Sequence, residues 1–261
     1  MINPPKNYDW LATEDGSYSL FSKAFEEGCH STSGAKLETI THYIKGCDVL
    51  EKAKAETLSI LEVGWGLGLG YQTTIEELKK HQLTPNLHFL SLEIDPELIH
   101  WVRDQLSFET AGYPAFSQLQ KIELNDLTYY EAKSELGTLT ILCGDARVTL
   151  PRFQKLFPEF KAQVIYQDAF SPKKNPTLWT VEWFLDLKNI SSPDVRLSTY
   201  SASNSIRKSM IEAGWNLFKG ERFGKKKTST RAKLVGTTDS DILELLARSP
   251  ITSLRDGVEH V

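Results

Sequence analysis

This chain predicts an α/β fold built on a largely parallel sheet, and two observations carry the prediction. Short β-branched and apolar runs alternate with longer segments of helical period, the pattern of repeated strand–helix units. Acidic residues close several of those runs, at the strand ends where open α/β sheets bind ligands. With 261 residues, 40% apolar and 25% charged, the chain is long enough for one large domain with a proper core.

The elements follow in order. "LSILEV" (58–63) reads as a buried strand and "GYQTTIEELKKH" as the helix after it. "LHFLSLEI" (87–94) is a second strand, followed by the helix "DPELIHWVRDQL" with Asp95 as N-cap and Pro96 at its first position. "GTLTILCGD" (137–145) gives a third strand, and "ARVTLPRFQKLF" an amphipathic stretch broken by Pro151. "KAQVIYQDAF" (161–170) is a fourth strand, and "PTLWTVEWFLDLKN" a helix beyond a proline-bearing loop. "DVRLSTYS" (194–201) and the helix "ASNSIRKSMIEAG" precede two closing strands, "WNLFKGERFG" and "TRAKLVGTT". Residues 1–57 read as an N-terminal extension packed on a core domain of 58–240, with 241–261 a tail holding the short helix "DILELLARS". Residues 107–136 form an insertion too long for an ordinary connection: a lid, a binding loop or extra local structure.

Several function classes drop out. No run of about 18 apolar residues predicts a membrane span, and "MINPPKNYDW" has no secretory pattern. Cys29, Cys47 and Cys143 are odd in number and form no CxxC, so a reducing, cytoplasmic setting is expected. The six histidines show no ligand spacing, and no metal is expected. A net charge of −4 argues against wholesale coating of nucleic acid. Even so, "KGERFGKKKTSTRAK" (219–233) is strongly basic, and charge alone does not decide between a solvated turn and a phosphate-contacting patch.

The chemistry concentrates at "ILEVGWGLGLGY" (60–71), where Gly64, Gly66, Gly68 and Gly70 follow Glu62. A dinucleotide fingerprint fails in both registers, since Leu69 or Tyr71 takes the third glycine position, and no G-K-S/T ending makes a phosphate loop. What remains is E-x-G-x-G-x-G, the loop of class I S-adenosylmethionine (AdoMet) methyltransferases. Glu93 in "SLEIDP" is placed to accept ribose hydroxyls, Asp145 in "CGDA" an adenine amino group, and Asp168 in "YQDAFSP" faces the transferable methyl. With Ala146 they form the expected cofactor set. Asp168 is also the catalytic candidate, able to orient an acceptor amine or relay its proton.

"DAFSPKKNPTLWT" (168–180) resembles the D-G-F-x-P-x-K-N-P-x-x-W-T signature of the methyltransferase half of the MnmC family, which finishes 5-methylaminomethyl-(2-thio)uridine at the tRNA wobble position. "EDGSYSLFSKAFEEGCHSTSGAKLET" (14–39), "LEVGWGLGLG" and "FGKKKTSTRA" are similar to other stretches of that family in the same order. Trp65, Leu67, Gly70, Ala169 and Cys29 depart from its usual Phe, Thr, Asn, Gly and Tyr; Leu67 and Gly70 remove polar groups from the cofactor loop. The resemblance implies a mainly parallel seven-stranded sheet with helices on both faces. It also implies a methyltransferase without the flavin-dependent oxidoreductase half, acting on aminomethyluridine that upstream enzymes have made. On the acceptor side it implies Phe170, Pro172, Lys173, Lys174, Asn175, Pro176 and Trp179, with Arg222, Lys225 and Lys226 meeting the tRNA anticodon stem-loop. Two alternatives stay open: an AdoMet-dependent N-methyltransferase of a small amine or protein side chain, and a non-catalytic AdoMet- or RNA-binding module.

Overall fold

The computed structural model describes residues 2–224 and 228–258, so Lys225 and Lys226 lie outside the described residues. The chain opens with a small antiparallel sheet of β1 (Tyr8–Ala12), β2 (Tyr18–Ser22) and β3 (Glu27–Gly28). Helix α1 (Ala35–Thr39) then runs into a π-helical turn, Ile40–Ile44, followed by α2 (Val49–Lys52).

The seven expected strands of the main sheet are present, and two more join them. In chain order they are β4 (Thr57–Val63), β5 (Asn86–Glu93), β6 (Gln120–Leu124), β7 (Leu127–Ser134), β8 (Gly137–Cys143), β9 (Ala162–Gln167), β10 (Ser191–Thr199), β11 (Asn216–Lys219) and β12 (Thr230–Lys233). Their order in space is β11-β12-β10-β9-β4-β5-β8-β7-β6. The five central strands are parallel, while β7 and β12 run antiparallel to their inner neighbours. The insertion is therefore a hairpin that widens the sheet. Its turn, Asn125–Asp126, has both residues at positive φ, which these short polar side chains tolerate.

The strands alternate between two cores, as a period of two requires. Leu61, Val63, Leu90, Leu92, Leu142 and Ile165 face one side with α5 (Ala146–Leu156), α6 (Val181–Asn189), α7 (Asn204–Glu212) and α8 (Ser240–Ala247). Ile60, Phe89, Ile141, Val164 and Tyr166 face the other, against α3 (Leu69–Lys80) and α4 (Pro96–Gln105). Asp95 caps α4 as expected, its side chain accepting from the Glu97 N–H at 2.9 Å. Pro151 does not break its helix: α5 runs through it, and the bond it forgoes is to the carbonyl of Arg147 in the helix's first turn. No helix among the described residues is long and apolar enough to cross a membrane.

Candidate active site

Chain order reverses at β4, whose neighbours are β5 on one side and β9 on the other. Ligands of open α/β sheets bind at such a switch point, outside the carboxyl ends of the strands. A cavity of about 220 Å³ lies there, walled by the ends of β4, β5 and β9 and by residues of the N-terminal segment. The glycine loop forms its floor. The Gly64 and Trp65 N–H groups donate to the Leu92 carbonyl at 3.2 and 3.0 Å, tying the loop to β5. At Gly64, with φ of +102°, a side chain would reach 3.0 Å from the Asp168 carbonyl oxygen, so bare backbone is needed there.

Three of the four strand-end acids converge on the cavity from buried or half-buried positions. Glu62 is buried and accepts from the Ser91 hydroxyl at 2.7 Å; burial pushes its carboxyl well above the usual range, against that bond's opposing pull. Its other oxygen points at Gly70, where any Cβ would fall 1.8 Å from Oε1. Glu93 accepts from the Gly66 N–H at 3.1 Å and the Asp95 N–H at 3.0 Å. Burial still lifts it to about 7. Asp145 lines the rim but is exposed, and one of its oxygens caps α5 by accepting from the Arg147 N–H at 2.9 Å. Ala146 is buried beside it. Among the described residues, no lysine or arginine lines the cavity.

Asp168 is held by residues that sequence reasoning missed. The Tyr43 hydroxyl donates to its Oδ1 at 2.5 Å, and burial together with the Asp168 charge keeps that phenol protonated. His30 Nε2 stands 3.9 Å from Asp168 Oδ2, and His30 Nδ1 lies 2.8 Å from the Ser19 hydroxyl. Tyr8, Phe25 and Cys29 complete this wall, with the Phe25 ring stacked on Phe170 at 4.4 Å. Tyr8 also donates to Asp95 at 3.0 Å. None of these belongs to the alternating pattern; the only signal for them was their place in the 14–39 resemblance, and Tyr8 and Tyr43 lie outside even that.

The acceptor-side residues divide. Phe170 and Asn175 line the cavity, and Pro176 opens the short 3₁₀ turn Pro176–Trp179 beside it. Pro172 is half-buried in the loop between them, and Lys173 is exposed. Lys174 is paired with Glu26 at 2.7 Å, tying the loop to the N-terminal segment. Trp179 could stack on a base or pack beneath the loop, and it packs. It is fully buried, donates from Nε1 to the Phe170 carbonyl at 2.8 Å and packs edge-on against Tyr200, so it supports the loop and has no face for a base. Gly68, expected in the cofactor set, does not border the cavity: a side chain there would meet Phe116 and Trp65 at 2.6 and 2.7 Å, so this glycine serves packing under the loop, while Gly64, Gly66 and Gly70 border the cavity.

The departures in the loop also find structural reasons. Trp65 is buried edge-on against Phe116 of the insertion, and Leu67 joins the same core. In the basic segment, Lys219 pairs with Asp241 at 2.5 Å, Arg231 with Glu221 at 3.5 Å, and Lys233 lies over the Phe218 ring. Arg222 is exposed, and the turn that follows it packs on the N-terminal segment through Phe223 against His42.

Comparison with known proteins agrees with this geometry. Residues 115–235 match a family model described as S-adenosyl-L-methionine-dependent methyltransferase. The chain is 28% identical over 232 residues to the tRNA 5-methylaminomethyl-2-thiouridine biosynthesis bifunctional protein MnmC of Azoarcus sp. (strain BH72), covering 85% of this chain and 35% of that protein. It thus spans about a third of the length of such relatives. The crystal structure of MnmC2 from Aquifex aeolicus superposes with a TM-score of 0.75 at 26% identity, covering 98% of this chain and 81% of that one. A spermidine synthase shares the fold at 12% identity and a TM-score of 0.52, covering 94% of this chain and 76% of that one. The chain is therefore similar to the MnmC proteins over most of its own length and has the class I fold of the S-adenosyl-L-methionine-dependent methyltransferases.

Proposed function

We propose that this chain transfers the methyl group of AdoMet to the primary amine of 5-aminomethyl-(2-thio)uridine at the wobble position of tRNA. The observation that carries the reading is the acidic lining of the cavity: Glu62, Glu93, Asp145 and Asp168 border it, and among the described residues no lysine or arginine does. Such a lining favours a cationic donor and an amine acceptor, and opposes carboxylate or phosphate acceptors.

The residues fit AdoMet. Glu62, buried without a lysine or arginine beside it in the cavity wall, suits the ammonium of the amino-acid end; Glu93 suits the ribose hydroxyls, and the Asp145–Ala146 edge the adenine. When bound, the sulfonium supplies a methyl group open to in-line attack by a nitrogen lone pair. The protein's own part is to orient that nitrogen at Asp168, exclude water and remove a proton. Phe25 and Phe170, stacked at the cavity wall, offer an apolar surface for a base carrying the amine. Lys173 and Arg222 stand exposed outside it, suited to phosphates of the anticodon stem-loop.

Incubating the protein with methyl-labelled AdoMet and tRNA carrying 5-aminomethyluridine tests the reading. Label in the wobble nucleoside is expected. No label, in a protein that binds AdoMet by calorimetry, would overturn it. Methylation of free small amines at equal efficiency would move the acceptor away from RNA.

A further inference from the structure

We propose that His30 is the base that takes the proton of the acceptor amine, with Asp168 as its charge anchor. The proposal rests on the amine reading above. His30 Nε2 and Asp168 Oδ2 are 3.9 Å apart, too far for a direct hydrogen bond and close enough for one nitrogen atom to reach both. Both side chains border the same cavity, 9% and 17% exposed. An ammonium seated between them donates one N–H to each and is fixed in direction.

The two groups are prepared differently. The Tyr43 hydroxyl donates to Asp168 Oδ1, so that oxygen is already engaged and Oδ2 is the one on the His30 side. Burial drives the His30 imidazole down to about 4, so it enters the reaction neutral. A neutral imidazole has one N–H. With that N–H on Nδ1, donated to the Ser19 hydroxyl at 2.8 Å, the Nε2 lone pair faces the cavity. The titratable groups around the pair are Asp15, Glu27, Glu38, Glu62, Cys29, Tyr43 and Tyr200; burial holds the thiol and both phenols protonated, which leaves the imidazole as the neutral base. In the step itself an N–H bond of the ammonium breaks and an H–Nε2 bond forms. The positive charge passes from amine to imidazolium beside the Asp168 carboxylate, the amine keeps the freed electron pair, and the proton later leaves to water.

His30→Gln tests this, because glutamine keeps a polar group in reach but is not a base. The expected result is a methylation rate about a hundredfold lower at pH 7, with the deficit shrinking to a few-fold near pH 9, where water supplies the free amine. AdoMet affinity by calorimetry should stay within about twofold. Nitrogen NMR of the unsubstituted, cofactor-free protein gives a second readout. The Nε2 signal of His30 should be unprotonated alone and should shift, as a lone pair accepting a hydrogen bond, on adding a stem-loop RNA with 5-aminomethyluridine. If the unsubstituted protein methylates this RNA and His30→Gln follows the same pH profile, the proposal is wrong and the functional reading stands. An Nε2 that carries a proton before the RNA is added also overturns it. If the unsubstituted protein labels no aminomethyluridine at all, the functional reading falls, and this proposal with it.

Discussion

The Tyr43 hydroxyl lies 2.5 Å from Asp168 Oδ1, so a residue 125 positions earlier in the chain fixes the carboxylate at the reacting end of the cavity. A hydrogen bond to a charged group contributes about 1.5–3 kcal/mol. Tyr43→Phe is therefore expected to lower the single-turnover methylation rate roughly tenfold to a hundredfold. AdoMet affinity should barely change, since Tyr43 is not among the residues that border the cavity. Rapid-quench kinetics and calorimetry on the same samples separate the two effects.

Glu93 makes cofactor binding depend on pH. Its carboxyl is lifted to about 7, so below that value it is protonated in the empty protein and must ionise to accept two hydroxyl groups. Affinity for AdoMet should fall as pH drops through 7. With binding restricted to the ionised fraction, pH 6 should be about tenfold weaker than pH 8. Titration calorimetry in buffers of different ionisation enthalpy checks it, since protons are released on binding near neutrality. An affinity flat from pH 6 to 8 would refute the assignment.

Gly70→Ala should damage the cofactor site and spare the fold. The added Cβ would fall 1.8 Å from Glu62 Oε1, and the carboxylate must swing away from a place held by Ser91. An affinity loss of about tenfold is expected, while alanine in a helix tends to stabilise by up to about 1 kcal/mol. Calorimetry and thermal melting should thus move in opposite senses.

Phe25→Ala removes one ring of the stacked pair. A stacked aromatic pair contributes about 0.5–1.5 kcal/mol beyond its buried area, so the KM for tRNA should rise about threefold to tenfold with AdoMet affinity unchanged. Steady-state kinetics with tRNA varied at saturating AdoMet gives the split.

The sheet was legible because buried parallel strands are short apolar runs with clear stops, as "LSILEV" and "LHFLSLEI" illustrate. The hairpin of the insertion was missed although it carried a signal: Asn125–Asp126 is a turn pair followed by the strand "LTYYEAKS". The acids were legible since strand ends fix where they point. His30, Tyr43 and Phe25 were not, because no local period places them; the first two reach Asp168, and Phe25 reaches Phe170, only when the N-terminal segment docks. Trp179 was left between two roles because an aromatic in a binding loop reads the same from sequence whether it faces a base or the core.

The contact of Trp65 with Phe116 has a consequence for how the molecule is assembled during synthesis. The glycine loop is completed long before Phe116 leaves the ribosome, and Asp168, which closes over Gly64, emerges later still. A nascent chain halted near residue 105 therefore has β4, β5 and the two backbone ties of the loop to Leu92, but lacks the Phe116 ring that packs edge-on against Trp65. The walls of the cavity are therefore complete only once β9 has paired with β4 and brought Asp168 to Gly64.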